Sequence, residues 1–416
     1  MMRKKTFSVC MLLILALGFS STNVFAETTS ALPYPITWIG NGVSLSEIYD
    51  GTEIVFDQDD FKSLDAYNKY LEKKGQSDIE ESYSEDNISG EKTGDVTANA
   101  LYKASLGTKN NAIQSFYING SEIYICQNYN NITYNGVAYS GNNVLLSRCI
   151  ISGNTFSRVD DMLLTDVGHG QTLDMYTYGN NNYFLISCGG YQTTTPDGNL
   201  VYWSTQIGRI QYSANTVINN SNIKRLVDLN YANMNNTSFG AVKRVDAALS
   251  SDKTKLLIWK RSQSNVDEFS VYDFSVINTE LSGLNNTNTL SFQANTTLQN
   301  ACTSTVTQPS NMPSSVQGVE LSNAGGGIHS IYVSSGNEKK GIPLKIFRFN
   351  TNGNYKNQAT IIDTGVWSLY NASPSLDVLA EIECIKISGN NLQFVLRNTD
   401  NSSQQVIAYI AKSYLS

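Results

Sequence analysis

Five times between about residue 100 and residue 416 the chain writes one local pattern: an alternating apolar strand, a short polar turn, and a compact apolar strand. Phe116-Tyr117-Ile118 and Ile123-Tyr124-Ile125 flank the first turn, Asn119 to Glu122. Met175 to Tyr178 with Tyr183 to Ile186, and Ala247-Ala248-Leu249 with Leu256 to Trp259, repeat it. Val319-Glu320-Leu321 with Ile331-Tyr332-Val333, and Ile385-Lys386-Ile387 with Leu392 to Val395, complete the series. The second strands start at 123, 183, 256, 331 and 392, with separations of 60, 73, 75 and 61. Third strands follow at Val144-Leu145-Leu146, Val201-Tyr202-Trp203, Phe269 to Tyr272, Leu344 to Phe347 and Val406 to Tyr409. Fourth strands fit at Met162-Leu163-Leu164, Leu226 to Leu229, Thr289 to Phe292 and Thr360-Ile361-Ile362.

A four-stranded sheet with two apolar faces cannot cover both alone. Stacking such sheets radially covers them and leaves only short edges. The expectation is therefore an all-β chain built as a five-bladed β-propeller. Longer loops account for repeats larger than the ~40–45 residues of compact blades. The fifth repeat has three strands, so its fourth should come from ahead of the first repeat. Ala98 to Ala104 is the nearer candidate and Ile36 to Ile39 the other. A β-sandwich or a solenoid with the same strand rhythm is the competing architecture.

What precedes the repeats is different in kind. Arg3, Lys4 and Lys5, the apolar run Val9 to Phe19, and Val24-Phe25-Ala26 read as a secretory signal peptide cleaved near Ala26. No later stretch approaches the ~20 apolar residues of a spanning helix, so a released, extracellular protein is expected. Residues 27–96 form an acidic segment, and residues 97–416 the propeller domain. Within 46–95 fifteen acids face five lysines, a net of −10 in a chain whose formal charge is −7. Phe61, Leu64, Tyr67 and Leu71 place a short helix over Asp59 to Lys74. Residues 76–96 read as a solvated linker, with a removable pro-segment or docking tail as the alternative. The remaining body is close to neutral, which excludes electrostatic capture of nucleic acid. A monomer is expected.

Five cysteines lie beyond the leader: Cys126, Cys149, Cys188, Cys302 and Cys384. Most sit in apolar strands and read as small buried hydrophobes, with a Cys126–Cys149 bridge as the alternative. With two histidines and no Cys-x-x-Cys, neither a metal site nor a cofactor is expected. Gly-x-Ser-x-Gly, phosphate-loop and His-Glu-x-x-His motifs are absent. No catalytic residue is assigned.

The most distinctive stretch is Gly168-His169-Gly170-Gln171-Thr172-Leu173-Asp174. Glycines on both sides of a histidine point to backbone that a neighbour approaches closely. In a propeller this stretch starts an innermost strand, at one mouth of the central channel. Matching positions in the other repeats hold Gln114, Asp246, Gln317, Glu320, Glu381 and Glu383, and His329 follows a glycine-rich turn. His169, Gln171, Asp174, Asp246, Glu320 and His329 are the candidate ligand-binding residues. Such a ring could hold a sugar or an ion; it could equally bond to backbone and stiffen the centre.

The 168–174 stretch and the strand Tyr183 to Ile186 resemble helveticin J and its relatives, class III bacteriocins of Gram-positive bacteria. Gly318 to Leu321, Ile331 to Gly336 and Leu146-Ser147-Arg148-Cys149 extend the resemblance over roughly 100–416; the acidic segment 46–95 lies outside it. The resemblance implies growth inhibition of related bacteria and supplies no catalytic residue. The expected function is a secreted antibacterial protein that binds a surface component of Gram-positive cells, with a wall glycan as one candidate partner. A non-toxic glycan-binding adhesin or lectin is the second reading. A propeller glycosidase using Asp174, Asp246 and Glu320 is the third.

Overall fold

The computed structural model describes residues 45–48, 53–56, 94–194, 200–325, 328–363, 365–370 and 378–416. The expected leader and the expected helix over Asp59 to Lys74 lie outside them. The chain divides into two compact units, Met1–Tyr83 and Ser84–Ser416. In the first, strand β1 (Leu45–Ile48) pairs antiparallel with β2 (Glu53–Phe56).

The second unit is nearly all β. Strands β3 (Gly94–Thr97) and β4 (Asn99–Ser105) come first, so β3 begins within the stretch that the sequence reads as linker, 76–96, and replaces its last residues with strand. The first repeat holds β5 (Ile113–Asn119), β6 (Glu122–Tyr134), β7 (Val137–Ser152) and β8 (Thr155–Thr165). The second holds β9 (Leu173–Tyr178), β10 (Asn181–Thr194), β11 (Leu200–Ile210), the short β12 (Val217–Asn219) and β13 (Lys224–Val227). The third runs through β14 (Val242–Leu249), β15 (Lys255–Ser262), β16 (Asp267–Asp273), helix α1 (Phe274–Gly283), β17 (Thr289–Ser291), helix α2 (Thr296–Asn300) and β18 (Cys302–Thr307). β19 (Val316–Gly325), β20 (Ile328–Asn337), β21 (Ile342–Asn350) and β22 (Tyr355–Ile362) make the fourth; β23 (Ala380–Ser388), β24 (Asn391–Asn398) and β25 (Gln405–Ala411) the fifth.

Strand period and burial explain the arrangement. In β15, Leu256 and Ile258 pack toward the second repeat while Leu257 and Trp259 pack toward the fourth. Both faces are dry, so the strand reads as an unbroken apolar run. Five apolar clusters sit between consecutive sheets. Cys126, Leu146 and Met162 meet Phe184, Ile186 and Ile210 between the first and second repeats. Leu185 and Ile207 meet Ala247 and Leu256 between the second and third. Trp259 and Val271 meet Val319 and Ile331 next, then Ile346 and Ile361 meet Ile382 and Phe394. The fifth cluster joins the last repeat to the first, through Val395 and Ile407 against Phe116, Ile125 and Phe156. Innermost strands neighbour one another in the same cyclic order, β5, β9, β14, β19, β23 and back to β5. Each fully buried Leu or Ile contributes about 1.5–3 kcal/mol relative to exposure.

The strand expected from ahead of the repeats is there. β4 pairs antiparallel with β25, Val406 opposite Lys103 and Ile407 opposite Tyr102. Its other edge pairs in parallel with β8, Lys103 opposite Thr155. β4 thus joins the outer edges of the last and first sheets. β3 adds a parallel strand outside β22.

Two expectations are corrected. Thr289 to Phe292 is not the outer strand of the third repeat: β17 pairs in parallel with β13 of the second, and β18 takes the outer place beside β16. The cause is α1, whose Phe274, Ile277 and Leu281 enter the cluster between those repeats and carry the following chain across to it. A Cys126–Cys149 bridge is excluded by register. Cys126 lies opposite Leu146 and Cys149 opposite Ile123, and the two thiols face different clusters. All five described cysteines are free, and burial pushes Cys126, Cys149 and Cys188 up to about 12.

The Lys103 amide donates to the Asn154 carbonyl at 2.9 Å, and strands flank the residue on both sides. Proline there removes the donor and clashes inside a sheet. Lys103→Pro is expected to cost about 1–3 kcal/mol, the penalty of leaving the Asn154 carbonyl without its donor, read as a lower urea midpoint. Tyr414→Ala, at an exposed site, should leave the midpoint unchanged. Equal midpoints for Lys103→Pro and the parent would refute the joining role of β4.

Candidate functional site

The innermost strands bring their polar residues together at two levels. At the first level, near the strand starts, the bonds cross from repeat to repeat. Arg244 Nε donates to Gln171 Oε1 at 2.8 Å, and Gln171 Nε2 to the Gln317 carbonyl at 3.4 Å. Gln317 Nε2 donates to Glu381 at 3.2 Å, and Gln114 Nε2 to Glu383 at 3.3 Å. Thr172 Oγ1 donates to Asp246 Oδ1 at 2.5 Å. Burial raises the Asp246 carboxyl to about 6 against that hydrogen bond, and its Oδ2 has no hydrogen-bond partner among the described residues. Glu383 is raised well above the usual range by burial and then by Glu381.

His169 is half-buried, its ring centroid 4.7 Å from that of Trp203. Burial and the Arg244 cation lower its imidazole to about 3. Arg244 lies over Trp203 at 4.3 Å and Trp259 at 5.0 Å. Burial, then Arg261, lowers its guanidinium to about 9. The glycines on either side of His169 answer to close approach. A Cβ on Gly168 would come within 2.9 Å of the Ser204 amide nitrogen, and one on Gly170 within 2.9 Å of a Val144 methyl.

The second level lies further along the same strands. Lys386 Nζ stands 3.0 Å from Asp174 Oδ2 and 3.3 Å from Glu320 Oε2, joining the fifth repeat to the second and fourth. Asp174 Oδ2 also accepts from the Leu249 amide of the third at 3.0 Å. Burial alone would lower the Lys386 ammonium, but Asp174 and then Glu320 outweigh it and hold it above its usual range. Burial pushes the Glu320 carboxyl up to about 8, with Lys386 pulling it down and Asp174 pushing it up. Charges this deep persist only when paired.

A bulge places Lys386 here. Between Glu383 and Lys386, β23 spends one residue more than its partner β24, and Cys384 takes φ 37°. The extra residue resets strand parity. Glu381, Glu383 and Lys386 therefore share a face, while Ala380, Ile382 and Ile385 pack together on the other. Cys384 is also where a Cβ on Gly318 would meet backbone at 2.6 Å, so only glycine fits at that crossing.

This level floors a pocket of about 150 Å³ to which all five repeats contribute. Tyr117 comes from the first, Asp174 from the second, Leu249 and Lys253 from the third, Glu320 from the fourth, and Lys386 and Gln393 from the fifth. Lys253 lies 5.4 Å from the Tyr117 ring centroid, held by a turn in which it takes φ 59°. Burial, then Asp174, raises the Tyr117 phenol.

Of the six candidates read from sequence, Asp174 and Glu320 line this pocket. Gln171 and Asp246 belong to the first level, with His169 beside them. His329 stands apart, its Nδ1 2.8 Å from the Ser322 carbonyl, where it braces the irregular β19–β20 hairpin. Lys386, Lys253, Tyr117 and Gln393 went unread. A lysine between Ile385 and Ile387 in an innermost strand was the available signal, since a lone buried ammonium requires acids beside it. Among the described residues no group of three or more His, Cys, Asp or Glu side chains converges to hold a metal ion, and no helix is long and apolar enough to cross a membrane.

A family model described as "Bacteriocin helveticin-J" matches residues 92–406. No curated protein matches the chain. Among solved structures, the tail fiber of Staphylococcus aureus phage P68 aligns at 14% identity and TM-score 0.46, over 75% of this chain and 52% of that one. An exo-beta-1,3-galactanase from Phanerochaete chrysosporium aligns at 12% and 0.36, over 76% and 64%. The beta-propeller domain of Cps50 (Swd1) from Myceliophteria thermophila aligns at 10% and 0.30, over 75% and 83%. The chain thus spans about half of the tail fiber and under two thirds of the galactanase.

Buried Glu320 gives stability a defined pH slope. Between pH 6.5 and 8 the folded chain keeps a proton that an unfolded Glu, near 4.5, has released. The folded state binds more protons, so stability falls as pH rises. Asp246 acts in the same direction only up to about 6, and His169 opposes only below 6.5. The melting temperature should therefore drop from pH 6.5 to 8. Glu320→Gln should flatten the drop, with Glu383 sustaining a remainder. Parallel curves for the two proteins would show that Glu320 does not hold this proton.

Proposed function

Since the chain belongs to the bacteriocin helveticin-J family, we propose that it is a secreted antibacterial protein that binds a surface component of Gram-positive target cells. The observation that carries this reading is the family match, which runs from residue 92 to 406 and so takes in nearly all of the repeat-bearing unit. Secretion rests on the leader-like residues 1–26 and cleavage near Ala26. The binding body is read as a five-bladed β-propeller over residues 97–416. Support comes from the five apolar clusters that follow one another in cyclic order, the last joining the fifth repeat to the first. A closed ring puts residues from separate sheets around one axis, where ligand pockets commonly form. Residues 27–96 are read as an acidic segment ahead of it, whose last residues enter β3 and pair with β22.

One observation favours a glycosidase instead. Glu320 holds a proton up to about pH 8 beside Asp174, as an acid and its partner would. Lys386 bonds to both, however, and Asp246 belongs to the other level. Binding without hydrolysis is the better fit.

Residues 27–416, added to a panel of Gram-positive indicator strains, should arrest growth of some strains and sediment with those cells. Isolated walls of the same strains should bind the protein and release no reducing sugar. A panel with neither inhibition nor binding would refute the proposal. Release of reducing sugar, lost in Glu320→Gln, would replace it with the glycosidase.

A further inference from the structure

We propose that the pocket over Lys386 holds one uncharged sugar ring, a pyranose end group or branch, as the unit through which the protein grips its target. This rests on the cell-surface reading above and names the ligand chemistry of that surface. Size speaks first. At about 150 Å³ the pocket is well below the ~300 Å³ at which drug-sized sites begin. One ring fits; a chain of rings does not.

Charge speaks second. Lys386 already pairs with Asp174 and Glu320, so the floor is satisfied within itself. Both signs face the pocket, so an anion meets Asp174 beside the two lysines and a cation meets Lys386 and Lys253 beside Asp174. A neutral polyol meets neither penalty.

Third is the supply of hydrogen-bonding groups. Gln393 is 8% exposed, and its side-chain amide makes no hydrogen bond to any described residue. It offers two donors and an acceptor to the pocket. The Tyr117 hydroxyl likewise has no hydrogen-bond partner among the described residues. Lys253 makes no ion pair there and rests over the Tyr117 ring. Asp174 supplies acceptor oxygens, and the Glu320 carboxyl both gives and accepts. Ile118 and Ile387, both half-buried, line the same space and offer apolar surface to the C–H faces of a ring. Alternating donors and acceptors beside an apolar strip match a pyranose, whose hydroxyls both give and accept.

The test titrates residues 27–416 with methyl glucoside, methyl galactoside and N-acetylglucosamine, and in parallel with glucuronate and glycerol phosphate, by calorimetry. At least one neutral sugar should bind. Gln393→Ala and Lys253→Ala, at wall and lip and outside the hub bonds, should each weaken it by about tenfold with unchanged melting temperature. A measurement free of any variant accompanies them: the bound sugar should slow acylation of Lys253. The assignment is overturned if no neutral sugar binds, if an acidic probe binds more tightly than every neutral one, or if binding leaves both variants and the Lys253 acylation rate unaffected. Growth inhibition without sugar binding would remove this site and leave the antibacterial reading. Sugar binding by a protein that never touches cells would do the reverse.

Discussion

Every sheet of the repeat-bearing unit has two apolar faces, and neighbouring sheets, with α1 between the second and third repeats, cover them. β15 states the constraint compactly, with Leu256 and Ile258 turned one way and Leu257 and Trp259 the other. Removing one neighbour would bare one of those pairs to water. Truncating a buried side chain such as Trp259 would cost about 3–5 kcal/mol. Apolar burial thus fixes the order of the sheets but is indifferent to what the inner edges carry. That freedom lets polar residues collect where the sheets converge.

The convergence is polar, and nearly every bond in it crosses from one repeat to another. Gln171 reaches the third and fourth repeats, Gln114 the fifth, and Lys386 the second and fourth. Such a network fixes how the sheets meet, because each buried group needs a partner held by a different sheet. The same requirement makes the pocket. Where the innermost strands run past their last shared bond, Lys386 and its two acids face open space with Gln393 and Tyr117 beside them.

The architecture was legible because two-sided burial leaves a mark on local composition. Runs such as Leu256 to Trp259 recur at regular spacing, and a repeat with three strands announces that a fourth must arrive from elsewhere. Ala98 to Ala104 was the right neighbourhood for it. The outer strand of the third repeat was misplaced because α1 displaces the chain, and its amphipathic stripe escaped notice beside the strand rhythm. Site residues were legible in part. Spacing grouped Asp174, Asp246 and Glu320 together, and of the three only Asp174 and Glu320 reach the pocket, because Asp246 bonds to Thr172 on the other level. Lys386 escaped that grouping, because its orientation depends on the bulge at Cys384, and an extra residue in one strand shows only against its partner. Gln393 and Tyr117 gave no sign at all, since ordinary strand residues become ligand groups only through what surrounds them.

The place of β4, between β25 and β8, has a consequence for the order of events during synthesis. A strand made ahead of all five repeats must wait for the last strand of the fifth. Until then two sheet edges stay open and able to pair with another chain. Contacts so distant in sequence are slow to form, so a ribosome-bound or truncated chain is the aggregation-prone species, and only the finished molecule is safe from it.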